Sequence, residues 1–251
     1  MESLDGRVAI VTGAASGIGK AVVETFARAN IKAVILSDIQ AERAEAVAAD
    51  VRDAHGCATM VAAIDVSRQD LVNKMVKDAM TEFGRVDILV NNAGICPVRA
   101  WDDTTLEDWN RVLEVNLTSA FLCSKAVLSH MREQKYGRIV NISSAGAFLG
   151  SVIADVAYGV SKAGMIALTK VIAKRFATEG IYCNAIAPGS IDTPMTDSFG
   201  PEIRQNFAEA CPMQRQGSPE ELAGAVWFLV SNPSNYVNGS TLHVNGGSLL
   251  V

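Results

Sequence analysis

The sequence predicts a single-domain α/β fold, a doubly wound parallel sheet with helices on both faces. Three observations predict it. Short β-rich apolar runs alternate with longer helical patterns from one end to the other, the mark of βαβ crossovers. The strand candidates are continuously apolar rather than alternating, as strands buried on both faces are. No linker, charge block, low-complexity segment or repeat breaks the order, so residues 1–251 read as one domain.

The elements follow in chain order. Val8–Val11 is an apolar run that ends at Thr12-Gly13 and leads into a helix through Phe26. Ala33–Leu36 ends at Ser37-Asp38, before an Ala/Glu-rich helix from Ala41 to about Val51. Thr59–Ile64 ends at Asp65, and a helix from Arg68 to Phe83 follows. Val86–Val90 ends at Asn91-Asn92; a long helix then spans about Thr105 to Arg132. Arg138–Ile142 ends at Ser143-Ser144, before a helix from about Tyr158 to Thr178. Tyr182–Ala187 ends at Pro188-Gly189. Ser190–Gly217, rich in Pro, Gly, Ser, Thr and Met, reads as an irregular functional lid. Pro219–Leu229 is a last helix and Thr241–Val244 a last strand. In parallel sheets ligands bind at the carboxyl ends of the strands, where the strand order reverses. The polar and glycine residues that close each run therefore mark the candidate site.

Composition narrows the function classes. A single domain of 251 residues buries roughly 70–75% of its unfolded-chain surface and needs no staples. A net charge of −5 argues against a nucleic-acid partner. Cys57, Cys96, Cys123, Cys183 and Cys211 are dispersed, without a CxxC pair or a histidine at ligand spacing. They read as reduced thiols of a cytoplasmic protein and not as a metal site. Met1–Asp5 does not open a signal peptide, and no stretch approaches 18 uninterrupted apolar residues, so no membrane partner is expected.

The turn Thr12-Gly13-Ala14-Ala15-Ser16-Gly17-Ile18-Gly19 joins the first strand to the first helix. Glycines there permit a tight turn and close approach of a pyrophosphate, which then sits on the helix N-terminus. Asp38 closes the second strand, 19 residues beyond Gly19. A carboxylate at that place accepts hydrogen bonds from the adenosine ribose and repels a 2′-phosphate. No Arg or Lys at Ala15, Ser16, Ile39 or Gln40 offsets it, so the expected cofactor is NAD. A helix N-cap before Ala41 is a compatible second role.

Tyr158 and Lys162 share a helix face at i, i+4. A phenol is a poor base at neutral pH, and a nearby ammonium is expected to favour the phenolate.

Together these residues resemble the short-chain dehydrogenase/reductases of about 250 residues, which have a Rossmann fold. The resemblance spans nearly the whole chain: the glycine turn, Asp65-Val66, Asn91-Asn92-Ala93-Gly94, Asn116, Asn141-Ile142-Ser143-Ser144, Tyr158 with Lys162, Asn184–Gly189 and Asn245-Gly246-Gly247. It implies that Tyr158 is the general acid/base, that Lys162 lowers its pKa and holds the nicotinamide ribose, that Ser144 steadies the substrate oxygen, and that Asn116 anchors a water in the proton relay. Gly13, Ser16, Gly17, Ile18 and Gly19 would hold the pyrophosphate, with Asp38 and Ile39 beside the adenosine ribose. Asp65 and Val66 would flank the adenine, while Asn91, Ala93 and Gly94 would line the cofactor channel. Pro188, Gly189, Ile191 and Thr193 would meet the carboxamide. For Asn91 a sheet-stabilising role stands beside cofactor contact.

One spacing departs from the family. Ser144 lies fourteen residues before Tyr158, one more than usual, and the extra residue is placed in the Gly150–Ala157 loop, with Ser143 as the fallback. Expected substrate walls are Ile95, Cys96, Ala145, Ala154, Asp155, Ser190, Met195 and Phe199; Asp155 either accepts a hydroxyl hydrogen bond or caps the following helix. The expected function is NAD-dependent interconversion of a secondary alcohol or polyol and a ketone. The alternatives are a 3-oxoacyl-(acyl-carrier-protein) reductase using NADPH and a non-catalytic nucleotide-sensing relative. Such carrier-protein reductases present basic residues to the acidic carrier; here Lys135 is basic, but Glu179 stands where the second base belongs. A homotetramer is expected from family pairing through the two long helices. Phe121, Leu122, Val127, Leu128 and Met131 exceed one buried stripe, and Leu249-Leu250-Val251 is apolar for a tail.

Overall fold

A computed structural model describes residues 2–150 and 154–251 of the chain. The continuous apolar runs become strands covered on both faces. β1 (Val8–Thr12) and β2 (Ala33–Ser37) are buried at every position, whereas β3 (Ala58–Ala62) at the sheet edge is partly open. β4 (Ile88–Asn91) and β5 (Gly137–Ile142) are fully buried, β6 (Ile181–Pro188) nearly so, and β7 (Thr241–Val244) forms the other, half-open edge. All pairings are parallel, in the order β3-β2-β1-β4-β5-β6-β7. The chain builds outward from β1 to β3, returns to set β4 beside β1, and builds outward again. That reversal opens a crevice above the carboxyl ends of β1 and β4.

Alternate strand residues feed two core layers. Ala9 and Val11 join Val22 and Phe26 of α1 (Gly17–Arg28), Val47 of α2 (Ala41–His55) and Leu222 of the last helix. Val8 and Ile10 join Met75 and Val76 of α3 (Gln69–Phe83) on the opposite face, with residues of two longer helical stretches. Those stretches, 106–134 and 156–179, are long and apolar enough to cross a membrane by composition. Their apolar character is used against the sheet, through Leu122, Val127, Met131 and Ile172.

The predicted helix over about 105–132 is interrupted. α4 (Leu106–Leu113) passes into a π-turn over Glu114–Thr118 before α5 (Ser119–Gln134). The Ser119 amide reaches back five residues to the Glu114 carbonyl, and the Ser119 hydroxyl takes the Val115 carbonyl instead. The widened turn swings Asn116 inward, where its carboxamide is fully engaged. Of the five apolar residues expected to exceed one stripe, Leu122, Val127 and Met131 are buried in this single chain; Phe121 stays 47% exposed.

A short α6 (Gly146–Leu149) follows β5, and α7 (Val156–Phe176) starts two residues earlier than predicted because Asp155 caps it. The 190–217 segment is less irregular than expected. It holds α8 (Pro194–Asp197) and α9 (Pro201–Ala210), each with proline in its first turn, before α10 (Pro219–Val230). Thr193 caps α8, and Arg204 of α9 bonds Asp192, Asp197 and Gln216, so the lid is cross-braced. The extra residue placed in the Gly150–Ala157 loop falls beside positions 151–153, outside the described residues.

Candidate active site

The strand ends converge as their polar closing residues predict. Gly13 turns with φ 65°, and a Cβ on Gly19 would lie 2.0 Å from the Gly13 carbonyl, so this turn admits no larger residue. α1 begins at Gly17 with no side-chain cap and no acidic residue in its first turn. Its leading amides are therefore available to an anion, and the cradle fits a pyrophosphate. The turn is locked to β4. Asn92 donates from Nδ2 to the Thr12 and Gly13 carbonyls (2.9 and 3.0 Å), and Thr12 Oγ1 accepts from the Asn92 and Ala93 amides. Asn92 and Thr12 were quoted in the motifs but given no role; their position at adjacent strand ends was the available signal.

Asp38 closes β2 beside this turn. Its carboxylate accepts from the Ala15 and Gln40 amides, both at 2.9 Å, with Ile39 open to solvent next to it. The N-cap of α2 is Gln40, so Asp38 braces the glycine turn and does not cap the helix. Asp65 holds Ser67 and Arg111, and the Val66 side chain packs into the core.

Asn91 is hydrogen-bonded within the sheet, in keeping with the sheet-stabilising one of its two expected roles. Its Nδ2 donates to Ser124 Oγ (3.2 Å) and Asn141 Oδ1 (2.8 Å), and Asn141 donates on to Thr169. The side chain is buried between β4, β5 and their helices, so it serves the sheet. Gly94 passes over the catalytic groups, where a Cβ would lie 3.2 Å from Asn116 Oδ1 and 3.4 Å from Lys162 Nζ.

Tyr158, Ser144, Lys162 and Asn116 come together at the carboxyl end of β5. Ser144 Oγ and the Tyr158 ring flank Gly146, where an added Cβ would lie 3.3 Å from the one and 3.8 Å from the other; Ser144 Oγ accepts from the Gly146 amide at 3.0 Å. Ser143 instead donates to the Lys162 carbonyl at 2.8 Å and is buried, facing away from the phenol. Lys162 Nζ donates to the Ile142 carbonyl at 2.8 Å and lies 5.8 Å from the Tyr158 ring centre. Burial, helped by the nearby Cys96, pushes the phenol above its ordinary pKa, against the pull of the Ser144 hydroxyl. Burial pulls Lys162 down to about 8. The net direction for the phenol is opposite to the one expected from a neighbouring ammonium, because burial disfavours the phenolate and Lys162 Nζ faces the Ile142 carbonyl. Cys96 is pushed up to about 12 by burial, opposed by the Lys162 charge. Asn116 accepts from the Ile95 amide (2.8 Å) and donates to the Ile95 carbonyl (3.0 Å) and Ser161 Oγ (3.1 Å). Ser161 escaped the sequence reading, although it lies one turn beyond Tyr158.

At the far side, Gly189 lies so close to Asn245 that a Cβ would meet its Cα at 2.9 Å, and Ala145 bonds the Pro188 carbonyl. Ile191 is buried and bridges to Gly217; the Thr193 methyl rests against Gly17, which sets the lid over the glycine turn. Among the expected substrate walls, Ser190 is bonded by Gln216, Ala154 is buried, Phe199 stacks edge-on with Phe207, and Met195 is open. Asp155 is fully buried and caps α7, accepting from the Ala157 amide, as the second of its two expected roles requires.

A doubly wound sheet with an uncapped glycine turn and a Ser–Tyr–Lys cluster beside it defines an oxidoreductase that binds a nicotinamide dinucleotide. Residues 13–248 match the family described as Enoyl-(Acyl carrier protein) reductase. The chain belongs to the short-chain dehydrogenase/reductase family. It is 41% identical to the 3-oxoacyl-(acyl-carrier-protein) reductase FabG of Aquifex aeolicus over 97% of this chain and 98% of that one. It is 39% identical to the (2S)-((R)-hydroxy(phenyl)methyl)succinyl-CoA dehydrogenase subunit BbsD of Thauera aromatica, over 98% of both. A crystal structure of a candidate gluconate dehydrogenase from Agrobacterium tumefaciens superposes with a TM-score of 0.93 at 35% identity, covering 99% of this chain and 98% of the other.

The depressed pKa of Lys162 has a stability consequence with a fixed sign. Between about pH 8 and its ordinary 10.5 the unfolded chain holds a proton that the folded chain has released. Folding is therefore favoured progressively as pH rises through that window, by at most about 1.4 kcal/mol per pH unit. Urea unfolding of the parent and of Lys162→Met at pH 7, 8.5 and 10 is expected to show their stability difference moving in the parent's favour. A difference independent of pH would contradict this placement of Lys162.

Proposed function

We propose that the protein interconverts a secondary alcohol and a ketone with NAD(H), in a reducing cytoplasm that keeps its five free thiols unpaired. The observation that carries the reading is the placement of Ser144 and Tyr158 together against Gly146, with Lys162 on the next turn of α7, beside the glycine turn. When bound, the nicotinamide supplies or takes up the hydride. Ser144 Oγ orients the substrate oxygen, and the Tyr158 hydroxyl gives it or takes from it a proton. Lys162 supplies positive charge beside the phenol, and Asn116 holds the relay side of the site through Ile95.

A second reading, reduction of a 3-oxoacyl thioester on a carrier protein, is favoured by the names of relatives. Beyond the Aquifex protein, others at 36–39% identity carry the same name, and this supports that alternative more than a plain alcohol dehydrogenase. Both readings share one reaction at one carbon. What favours a small free substrate is Glu179, which pairs with Arg132 at 2.7 Å where a base for the carrier is expected. Asp38 favours NAD, since at about 4 Å and an effective dielectric near 20 a 2′-phosphate charge would be opposed by about 4 kcal/mol, less where solvent reaches.

Tyr158→Phe keeps the ring and removes the hydroxyl, so NADH binding is expected to survive while turnover falls about 10²–10⁴-fold. Ser144→Ala is expected to lower kcat more than cofactor affinity, and Ser143→Ala to do less. Parent-rate turnover by Tyr158→Phe on any substrate sinks the mechanism; a greater loss from Ser143→Ala sinks only the choice of serine.

The cofactor is tested by kcat/KM with NADH against NADPH on acetoacetyl-CoA, and with NAD+ against NADP+ on small secondary alcohols. NADH is expected to be preferred, with Asp38→Ala narrowing the gap mainly through KM. A preference for NADPH in the parent would move the reading to the carrier-protein alternative.

A homotetramer, or at least a dimer, is the proposed assembly. Phe121, Val160 and Val171 stay about half exposed on the two long helices, and Leu250 and Val251 are open at the terminus. Light scattering at micromolar concentration is expected to give at least twice the chain mass of 26.6 kDa, and a monomer would refute it.

A further inference from the structure

We propose that Asp155 is the positioning residue of the tyrosine site. It fixes in one frame the start of the helix that carries Tyr158 and the segment 95–104 that walls the same site. The proposal takes the role of Tyr158 from the dehydrogenase reading and everything else from geometry.

Asp155 is fully buried, and each of its polar groups is aimed at protein. Oδ1 accepts from the Ala157 amide at 2.9 Å, and the backbone carbonyl accepts from the Tyr158 amide at 2.9 Å, so both leading amides of α7 close on this residue. Its own amide donates to the Pro97 carbonyl at 2.8 Å, and Val98 pairs with Ala154 as an antiparallel bridge. Oδ2 faces the segment itself, 3.5 Å from Arg99 Nε and 3.4 Å from the Thr104 hydroxyl.

Arg99 carries the link further. Its other guanidinium nitrogen lies 2.8 Å from Asp108, the third residue of the capping box that opens α4 from Thr105. One arginine thereby joins the caps of α4 and α7. At its opposite end the segment is held by Asn116, which binds both backbone groups of Ile95 and donates to Ser161. Ser161 in turn donates to the Tyr158 carbonyl at 2.6 Å. The links form a closed circuit from Tyr158 through Ser161, Asn116, Ile95, Pro97 and Asp155 back to Tyr158.

The residue type follows from this double duty. Serine or threonine would cap α7 but could not extend a second acceptor to Arg99, and asparagine would turn an NH₂ donor or a weaker neutral acceptor toward a cation. A buried carboxylate is tolerated because both oxygens are satisfied.

The test is hydrogen exchange on the full-length protein, read by mass spectrometry, together with steady-state reduction of ethyl acetoacetate by NADH. Asp155→Ala is expected to raise exchange about tenfold or more at both 95–104 and 157–159, as one opening unit. It is expected to lower kcat about tenfold with KM for NADH within about twofold, because the cofactor cradle lies on other strands. Asp155→Asn and Arg99→Met keep the cap and lose the ion pair; they are expected to raise exchange at 95–104 alone and to lower kcat about threefold. If Asp155→Ala does not fold, these two carry the test. Parent-level exchange at 95–104 in both overturns the proposal, as does a loss that resides in KM for NADH with kcat unchanged. Parent-rate turnover by Tyr158→Phe, or none by the parent, instead means the dehydrogenase reading has failed, and exchange alone then decides the clamp.

Discussion

Between β1 and β4 the strand order reverses and two backbone ends would otherwise part. Four hydrogen bonds close that seam, all donated by Asn92 and Ala93 to Thr12 and Gly13. The rest of the site depends on this closure. The glycine turn can lie flat over the strand ends only because its carbonyls are taken by Asn92 Nδ2. That leaves the amides of α1 facing the crevice rather than bonding the loop. Asp38 completes the arrangement from β2 by holding the Ala15 amide. A turn built this way is ordered before any ligand arrives, so little ordering entropy remains for binding to supply.

Below the seam runs a string of buried polar side chains, Ser124, Asn91, Asn141 and Thr169, that ties two central strands to the helices α5 and α7. Hydrogen-bonded networks rigidify what they join, and here Asn91 Oδ1 alone of the string's amide oxygens and nitrogens is left without a partner. Asn116 and Lys162 are set into the same interior, with Ser144 and Tyr158 half-buried beside them. Their opposed shifts, phenol up and ammonium down, have one cause, since burial disfavours the charged form of each. Burying two such groups costs the fold stability.

Relatives of differing printed activities match over nearly all of this chain. Around the seam and cluster of this chain lie the carboxylate of Asp38, the Glu179–Arg132 pair on the outer helix ends, and a lid braced by Arg204.

Local pattern determined much of this protein. The alternation of apolar runs and helical stretches specified the doubly wound sheet, because burial on two faces leaves a continuous apolar run. The polar residues ending those runs marked the site, and the four-residue spacing placed Tyr158 and Lys162 on one face. The short lid helices were legible in principle from Thr193-Pro194 and Gly200-Pro201, but they are too short to show a period. Other features were decided only by tertiary structure. Asn91 and Asn92 are adjacent and chemically identical, yet one is buried in the sheet and the other braces the glycine turn, because successive strand residues face opposite ways. The helix opens at Asn116 because Ile95 and Ser161, 21 and 45 residues away, are where its carboxamide finds partners. Ser144, not Ser143, meets the phenol because Ser143 is drawn to the Lys162 carbonyl. Asp155 caps and clamps because Arg99 and Pro97 are folded against it. A sequence carries its periods locally, but which partner a polar side chain meets is set by how distant segments are packed together.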